Sequence, residues 1–92
     1  MPYTVYILYS TKNQKIYIGF TSNLIERFKS HNYLSRNSWT VKYRPWEVIY
    51  CEYFLDKTDA MKRERALKSG QGRNWIHQKI IMEYHCNGFI SA

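Results

Sequence analysis

Two tyrosine-containing tripeptides, an arginine–histidine pair and one glutamate are the residues of this chain best suited to phosphodiester chemistry. The tripeptides are Thr4-Val5-Tyr6 and Tyr17-Ile18-Gly19, and they precede Arg27, His31 and Glu64 in the chain. Phosphodiester hydrolysis needs a metal ion that polarises the phosphate, a base that activates water, and cations that hold the developing charge. A glutamate, a tyrosine and the basic pair supply one group for each task.

Arg27 and His31 are four residues apart in a predicted helix, so their side chains are neighbours. Arginine can grip a phosphate with two parallel N–H groups, and histidine can add one more donor. The pair therefore indicates a phosphate contact. The alternative is a basic, solvated helix surface.

Glu64 lies on the apolar stripe of a second predicted helix. Ala60, Met61 and Leu67 define that stripe, at four, three and three residues from the glutamate. A carboxylate at an inward position is costly unless it is paired or bound to a metal. A lone carboxylate suits Mg²⁺, which keeps most of its waters. The alternative is an ion pair with Lys68, worth only about 0.3–0.5 kcal/mol at a surface.

Tyrosine is a poor base at neutral pH, because its reference pKa is about 10. A neighbouring cation or metal ion must stabilise the phenolate before it can accept a proton. Tyr17 or Tyr6 would then activate water, either directly or through a neighbouring group.

A predicted β-hairpin places the two tyrosines. Residues 3–9 alternate as a strand, residues 11–14 form a polar turn, and residues 15–20 form a second strand. A four-residue turn pairs Ser10 with Lys15 and Tyr6 with Gly19, so Tyr6 and Tyr17 share a face of the sheet. Gly19 then lets substrate or backbone approach beside the tyrosines. The alternative role for Gly19 is a bulge or a bend at the strand end.

The remaining elements are three helices and one more strand. A first helix covers residues 21–30, with Asn23 and Glu26 as a capping box and Leu24, Ile25 and Phe28 as its buried stripe. A third strand covers residues 46–54, a second helix begins at residues 56–59 and ends at Gly70, and a third helix runs from about residue 73 to 84.

This ββαβαα order predicts an α+β fold, with a small three-stranded antiparallel sheet flanked by helices. We expect one domain over residues 1–85 and a C-terminal tail over residues 86–92.

Composition favours a polyanionic partner. The chain has 92 residues, a formal net charge of +7 and 16 aromatic residues, which together favour nucleic acid, although charge also serves solubility. No stretch is long and apolar enough to span a membrane, and the N-terminus shows no secretory signal. We therefore expect a cytoplasmic protein without a membrane partner, in which Cys51 and Cys86 are free thiols.

The ordered set of tyrosines, arginine, histidine and glutamate resembles the GIY-YIG nuclease superfamily over roughly residues 2–82. The first tripeptide departs from the family pattern at Thr4 and Val5, whereas Tyr17-Ile18-Gly19 matches it in full. Residues 17–24 and 60–64 look like those of small stand-alone members similar to the N-terminal nuclease domain of the bacterial excision-repair nuclease subunit.

The resemblance implies a metal-dependent endonuclease that hydrolyses DNA with Mg²⁺ or Mn²⁺, with a role in DNA repair or recombination. It implies catalytic roles for Tyr6, Tyr17, Arg27, His31 and Glu64, with Glu64 as the metal ligand. Expected substrate contacts are Gly19, Lys42, Arg44, Arg63 and Asn74.

Some of these substrate contacts have other readings. Asn74 matches the family poorly, and its alternative role is to cap the third helix. Lys42 and Arg44 alternate with aromatic residues that can stack on bases, although a packed loop explains them equally well.

Two other functions stay open. One is a nucleic-acid-binding accessory module with weak or no cleavage. The other is a small basic protein that binds a protein partner. The oligomeric state is open as well.

Overall fold

The computed structural model describes residues 2–29, 39–87 and 90–91. A four-stranded sheet in the order β2-β1-β3-β4 forms its centre, with helices around it. The elements are β1 Tyr3–Ser10, β2 Lys15–Thr21, α1 Leu24–Lys29, α2 Trp39–Lys42, β3 Glu47–Phe54, α3 Lys57–Lys68, α4 Gly70–Trp75, a π-helical segment Ile76–Ile80, α5 Ile81–Asn87 and β4 Ile90–Ser91. The predicted α+β class is confirmed.

The hairpin has the predicted register. Ser10 pairs with Lys15 and Tyr6 pairs with Gly19, across a turn of residues 11–14. The N–H of Gln14 donates to the carbonyl of Ser10 at 2.7 Å, and Gln14 has a positive φ of 55°. The Ser10 hydroxyl also accepts from the N–H of Asn13 at 3.3 Å. These bonds close the turn at four residues and thereby set which side chains share a face.

Both faces of the central strand β1 are covered by packed side chains. The first cluster, here the α3-face core, consists of Val5, Ile7, Tyr9, Ile18, Ile49, Tyr50, Ala60, Leu67, Ile76, Ile80 and Ile81. The second, here the tyrosine-face core, consists of Tyr6, Leu8, Trp46 and Cys51, with Tyr17, Leu24, Phe28, Tyr43 and Val48 packed against it. Alternate residues of β1 therefore serve two separate cores.

A β-bulge changes the pairing of β3 with β1. Ile7 pairs with Tyr50, whereas the next residue, Leu8, pairs with Val48, so Ile49 is the extra residue. Ile49 and Tyr50 are consecutive, yet both belong to the α3-face core. The bulge thus lets two neighbouring side chains fill the same core.

The first helix begins three residues later than predicted and buries fewer of the predicted residues. It begins at Leu24, after Asn23, whose Oδ1 accepts from the N–H of Glu26 at 3.2 Å, so Asn23 is the cap as predicted. The reciprocal half of the predicted capping box is replaced, because the N–H of Asn23 donates to the Oγ1 of Thr21 at 3.1 Å and not to Glu26. Leu24 and Phe28 pack against the tyrosine-face core. Ile25 is 68% exposed, so its predicted place in the buried stripe was wrong. Residue 25 is rotated about 100° from residue 24, away from the sheet.

A tight corner joins α3 to α4. The predicted start of the second helix is confirmed, with Lys57 as its first residue, and α4 begins at Gly70 rather than near residue 73. Ser69 ends one helix and caps the next, because its Oγ accepts from the N–H of Gly72 at 3.1 Å. A Cβ on Gly72 would lie 2.6 Å from the Cα of Leu67, so only glycine allows this approach.

Strands β2, β1 and β3 form the predicted three-stranded antiparallel sheet. A short fourth strand, β4, lies parallel to β3 and pairs Ile90 with Tyr50. The boundaries of the domain and its tail stay a prediction.

Cys51 is a free, buried thiol, and burial raises its pKa to about 11. No helix among the described residues is long and apolar enough to cross a membrane.

Candidate active site

Tyr6 and Tyr17 form a stacked pair in the tyrosine-face core. Their ring centroids are 6.2 Å apart and their planes differ by 28°. Tyr6 is only 1% exposed, whereas Tyr17 is half-buried at the edge strand β2. The ring of Trp46 packs edge-on against Tyr17, with the two ring centroids 6.5 Å apart. The shared face that the hairpin pattern predicted is thus present, with one phenol enclosed and the other at the surface.

Arg27 connects the two tyrosines. Its guanidinium hydrogen-bonds to the side chains of both Tyr6 and Tyr17, and these contacts raise the pKa of Arg27. The arginine comes from α1, which the Asn23 cap and the packing of Phe28 hold over this face. One cation from a helix therefore lies against two phenols from neighbouring strands.

The environment of Tyr6 keeps its phenol neutral. Burial raises the pKa of Tyr6 to about 12, and the charges of Tyr17 and Glu64 act in the same direction, while the hydrogen bond from Arg27 opposes them. The burial effect is the largest of these. At neutral pH, Tyr6 is therefore a proton donor and not a base.

Glu64 approaches the same cluster from α3. Its side chain is 18% exposed and accepts an ion pair from Lys68 at 3.4 Å. Its negative charge contributes to the raised pKa of Tyr6, so the carboxylate lies within electrostatic reach of that phenol. The predicted inward position of Glu64 and its alternative ion pair with Lys68 are both present. Its role as a metal ligand stays a prediction.

The donor chemistry around Glu64 fits one hard divalent cation. Among the described residues, no three His, Cys, Asp or Glu side chains converge on one point. This part of the chain therefore forms no closed cage of three or more such protein ligands. One accessible carboxylate suits Mg²⁺ or Mn²⁺, which complete their shells with water and substrate phosphate.

Gly19 makes room for Tyr6. A Cβ at position 19 would lie 2.6 Å from the Oη and 2.8 Å from the Cζ of Tyr6. The glycine is directly paired with Tyr6 across the hairpin. The structural reason for glycine is thus the tyrosine ring itself, which is more specific than the predicted approach of backbone or substrate.

Lys42 lies on the tyrosine face, beside an aromatic residue of its core. Its Nζ is 5.6 Å from the ring centroid of Tyr43, and the Nζ of Lys15 is 5.7 Å from the same ring. Tyr43 packs against the tyrosine-face core. Arg44 is half-buried and precedes the cis-linked Pro45. Lys42 therefore lies near this face, and the binding roles of Lys42 and Arg44 stay predictions.

Arg63 lies elsewhere, in an ion-pair network that the sequence analysis did not identify. It binds Glu52 through Nε at 3.0 Å and Nη2 at 2.9 Å, while Tyr50 donates its hydroxyl to the same carboxylate at 2.7 Å. Its guanidinium also lies 5.4 Å from the ring centroid of Trp75. Glu52 pairs with Val5, so this network is on the α3 face and not beside the tyrosines. A charged residue inside an otherwise apolar strand was the signal for it.

Two predicted residues remain, Asn74 and His31. Asn74 is exposed on α4, and the cap of that helix is Ser69, so the alternative of Asn74 as a helix cap was wrong. His31 lies outside the described residues. The structure therefore gathers Tyr6, Tyr17, Gly19, Arg27 and Glu64.

Comparison with known proteins identifies one family. The model of the GIY-YIG catalytic domain matches residues 2–77. A UPF0213 protein of Clostridium perfringens is 38% identical over 82 residues, covering 86% of this chain and 87% of the relative. A UPF0213 protein of Limosilactobacillus reuteri is 40% identical over 84 residues, covering 89% and 84%.

Two further matches widen the comparison. The structure-specific endonuclease subunit SLX1 of Vanderwaltozyma polyspora is 33% identical over 84 residues, which cover 80% of this chain and 25% of that protein. The solution structure of a UPF0213 protein from Bacillus halodurans covers all of this chain, with a TM-score of 0.56 and 23% identity, which supports the fold.

Proposed function

The chain belongs to the GIY-YIG catalytic-domain family, and we propose that it is a divalent-metal-dependent endonuclease that hydrolyses phosphodiester bonds of DNA. The observation that carries the proposal is the contact of Arg27 with both tyrosines, within electrostatic reach of Glu64. Four elements, β1, β2, α1 and α3, contribute to this one cluster. Such convergence of a cation, two phenols and a carboxylate suits charge stabilisation on a phosphate.

The two tyrosines have different proposed roles. Tyr6 is buried with a pKa of about 12, so it holds its proton and positions Arg27. Tyr17 is half-buried at the sheet edge, where water and a phosphate can reach its hydroxyl. We assign the activation of water to Tyr17, directly or through an ordered water. Arg27, with His31 as a further proposed donor, stabilises the phosphate.

Glu64 is the proposed ligand for Mg²⁺ or Mn²⁺. When bound, the ion polarises the phosphate and stabilises the leaving oxygen. Lys68 pairs with the carboxylate of Glu64 at 3.4 Å and neutralises part of its charge. The half-buried position of Glu64 limits the rotamers that its side chain can adopt.

A plasmid-nicking assay tests this function. Purified protein is incubated with supercoiled DNA and Mg²⁺ or Mn²⁺, with chelator, and as the Glu64→Gln variant. We expect nicking to need the ion and to fall at least about 100-fold in the variant. Glu47→Gln, at an exposed position of β3, is the matched control and should nick normally. Nicking by Glu64→Gln in the presence of chelator would contradict the mechanism.

A structure-selective substrate is the proposed refinement. The relative named a structure-specific endonuclease subunit shares this domain as a quarter of its length. We therefore include replication-fork, flap and four-way DNA beside linear duplex, and propose a role in repair or recombination. Equal cleavage of branched and linear DNA would remove this refinement and leave the nuclease assignment intact.

A nucleic-acid-binding module is the second candidate. The ring of Tyr43 has the ammonium groups of Lys15 and Lys42 near it, at 5.7 and 5.6 Å from its centroid. Such a surface can hold single strands without cutting them. Salt-dependent DNA binding without nicking under either ion would favour this candidate.

A further inference from the structure

A cleft of about 440 Å³ opens beside the outer strand β2 and ends against the corner of α3 and α4. The residues that line it are Gln14, Lys15, Ile16, Tyr17, Ile18, Lys68 and Arg73. Three of the seven are cations and none is acidic. We propose that this cleft, here the β2-edge cleft, binds a backbone phosphate of the DNA strand that flanks the scissile bond.

The cleft adjoins two groups of the proposed active site, Tyr17 directly and Glu64 through its ion-pair partner Lys68. Tyr17 lines it and also stacks on Tyr6. Lys68 lines it from the other side and forms the ion pair with Glu64. A strand whose phosphate occupies the proposed active site therefore has the β2-edge cleft as its adjoining positive surface. This step rests on the proposed function.

Two of the three cations in the cleft are available for an anion, since Lys68 is paired with Glu64. Lys15 and Arg73 are exposed, and Arg73 is oriented by its Nε, which donates to the carbonyl of Lys68 at 3.2 Å. The terminal nitrogens of Arg73 make no hydrogen bond within the described residues. An arginine fixed by one nitrogen can present its others to a phosphate with little loss of entropy.

The edge of the sheet adds neutral donors. β2 is the outermost strand, so alternate backbone N–H groups point away from β1. Gln14, which closes the hairpin with positive φ, contributes a side-chain amide to the same wall. Neutral donors together with cations suit a phosphate diester better than a carboxylate-bearing peptide, since they recognise several oxygens around one centre.

Binding of a labelled duplex in EDTA, followed by fluorescence anisotropy, tests the cleft without cleavage. We expect Lys15→Met and Arg73→Met each to weaken affinity about three- to tenfold and to lower the slope of log affinity against log salt by about 1. Lys57→Met is the matched control, because it removes a lysine charge at the opposite end of α3, about 16 Å along the helix from Lys68 of the cleft. Lys15→Arg should retain affinity. Circular dichroism confirms that all variants are folded.

Three outcomes are decisive. If Lys15→Met and Arg73→Met have the same affinity and salt slope as Lys57→Met, the β2-edge cleft does not bind DNA, even if the wild-type protein nicks DNA. Loss of affinity in the cleft variants without nicking by the wild type would overturn the nuclease and keep the cleft. Displacement of the oligonucleotide by equimolar inorganic phosphate would assign the cleft to free phosphate and overturn the DNA proposal.

Discussion

Tyr6 and Gly19 face each other across the β1–β2 ladder, and the Oη of Tyr6 occupies the space where a Cβ of residue 19 would lie, at 2.6 Å. The glycine of the second tripeptide thus accommodates the tyrosine of the first. The two tripeptides therefore form one packing unit.

Gly19→Ala should therefore displace Tyr6 and its contact with Arg27. We expect a loss of about 1–3 kcal/mol in the free energy of unfolding from overpacking. Nicking should fall at least about tenfold at temperatures where the variant is folded, because positioning of the cation is lost. Thermal unfolding and initial nicking rates measure the two effects. Normal nicking by the folded variant would show that the ring position does not matter for activity.

The corner between α3 and α4 predicts a contrast between two glycines. A Cβ on Gly72 meets the backbone of Ala66 and Leu67, whereas a Cβ on Gly70 meets nothing within 4 Å. Gly72→Ala should lower the free energy of unfolding by about 1–3 kcal/mol. Gly70→Ala, the matched control, should be neutral or stabilising by up to about 1 kcal/mol. Urea unfolding measures both, and equal effects would refute the tight corner.

The ion pair of Arg63 with Glu52 should stabilise the attachment of α3 to the sheet. Glu52 is 16% exposed, so removing its partner leaves a half-buried charge. Arg63→Met should cost about 1–3 kcal/mol, and the double variant with Glu52→Gln should cost less than the sum of the single changes. Lys62→Met, at an exposed neighbouring position, is the control. Additive effects in urea unfolding would count against coupling.

Alkaline pH should destabilise the fold through Tyr6. Burial raises its pKa from 10.0 to about 12. Below pH 10 both the folded and unfolded chains hold the proton. Between pH 10 and 12 only the unfolded chain loses it, so this contribution to stability falls as pH rises, by about 1.4 kcal/mol per unit.

The measurement compares unfolding free energies across this pH range. Tyr6→Phe should show a shallower decline than wild type. Tyr53→Phe removes a hydroxyl from an exposed tyrosine and should leave the decline unchanged. Tyr50, whose pKa is also raised to about 12, keeps part of the decline in every variant. Identical slopes for Tyr6→Phe and wild type would disprove the assignment.

Local patterns predicted the hairpin and its consequence for the tyrosines. Alternation and turn length are properties of neighbouring residues, so Ser10 and Lys15 could be paired from sequence alone. The inward side of α3 was likewise predictable from helical periodicity, because Ala60 and Leu67 are buried at the expected positions. Glu64 follows from the same spacing.

Features that depend on distant contacts were not predictable. Gly70 indicated a helix end, but Ser69 caps a new helix at once, so the chain turns without a loop. The pairing of Ile90 with Tyr50 joins residues that are forty apart in the chain. The contact of Arg27 with Tyr6 depends on how α1 packs on the sheet. Tertiary packing sets the strand pairing and the arginine contact, and single-sequence patterns do not encode it. The Ser69 cap is a local bond to Gly72, which the glycine signal for a helix end did not reveal.

The bulge at Ile49 sets the phase of β3. Before the bulge, Val48 packs against the tyrosine-face core. After it, Cys51 belongs to that core, and Glu52 lies on the α3 face. Deleting one residue there would reverse the second half of the strand. The carboxylate of Glu52 would then enter the phenol cluster, and Arg63 would lose its partner. One extra residue in a strand therefore keeps an unwanted negative charge away from the place where DNA is proposed to bind.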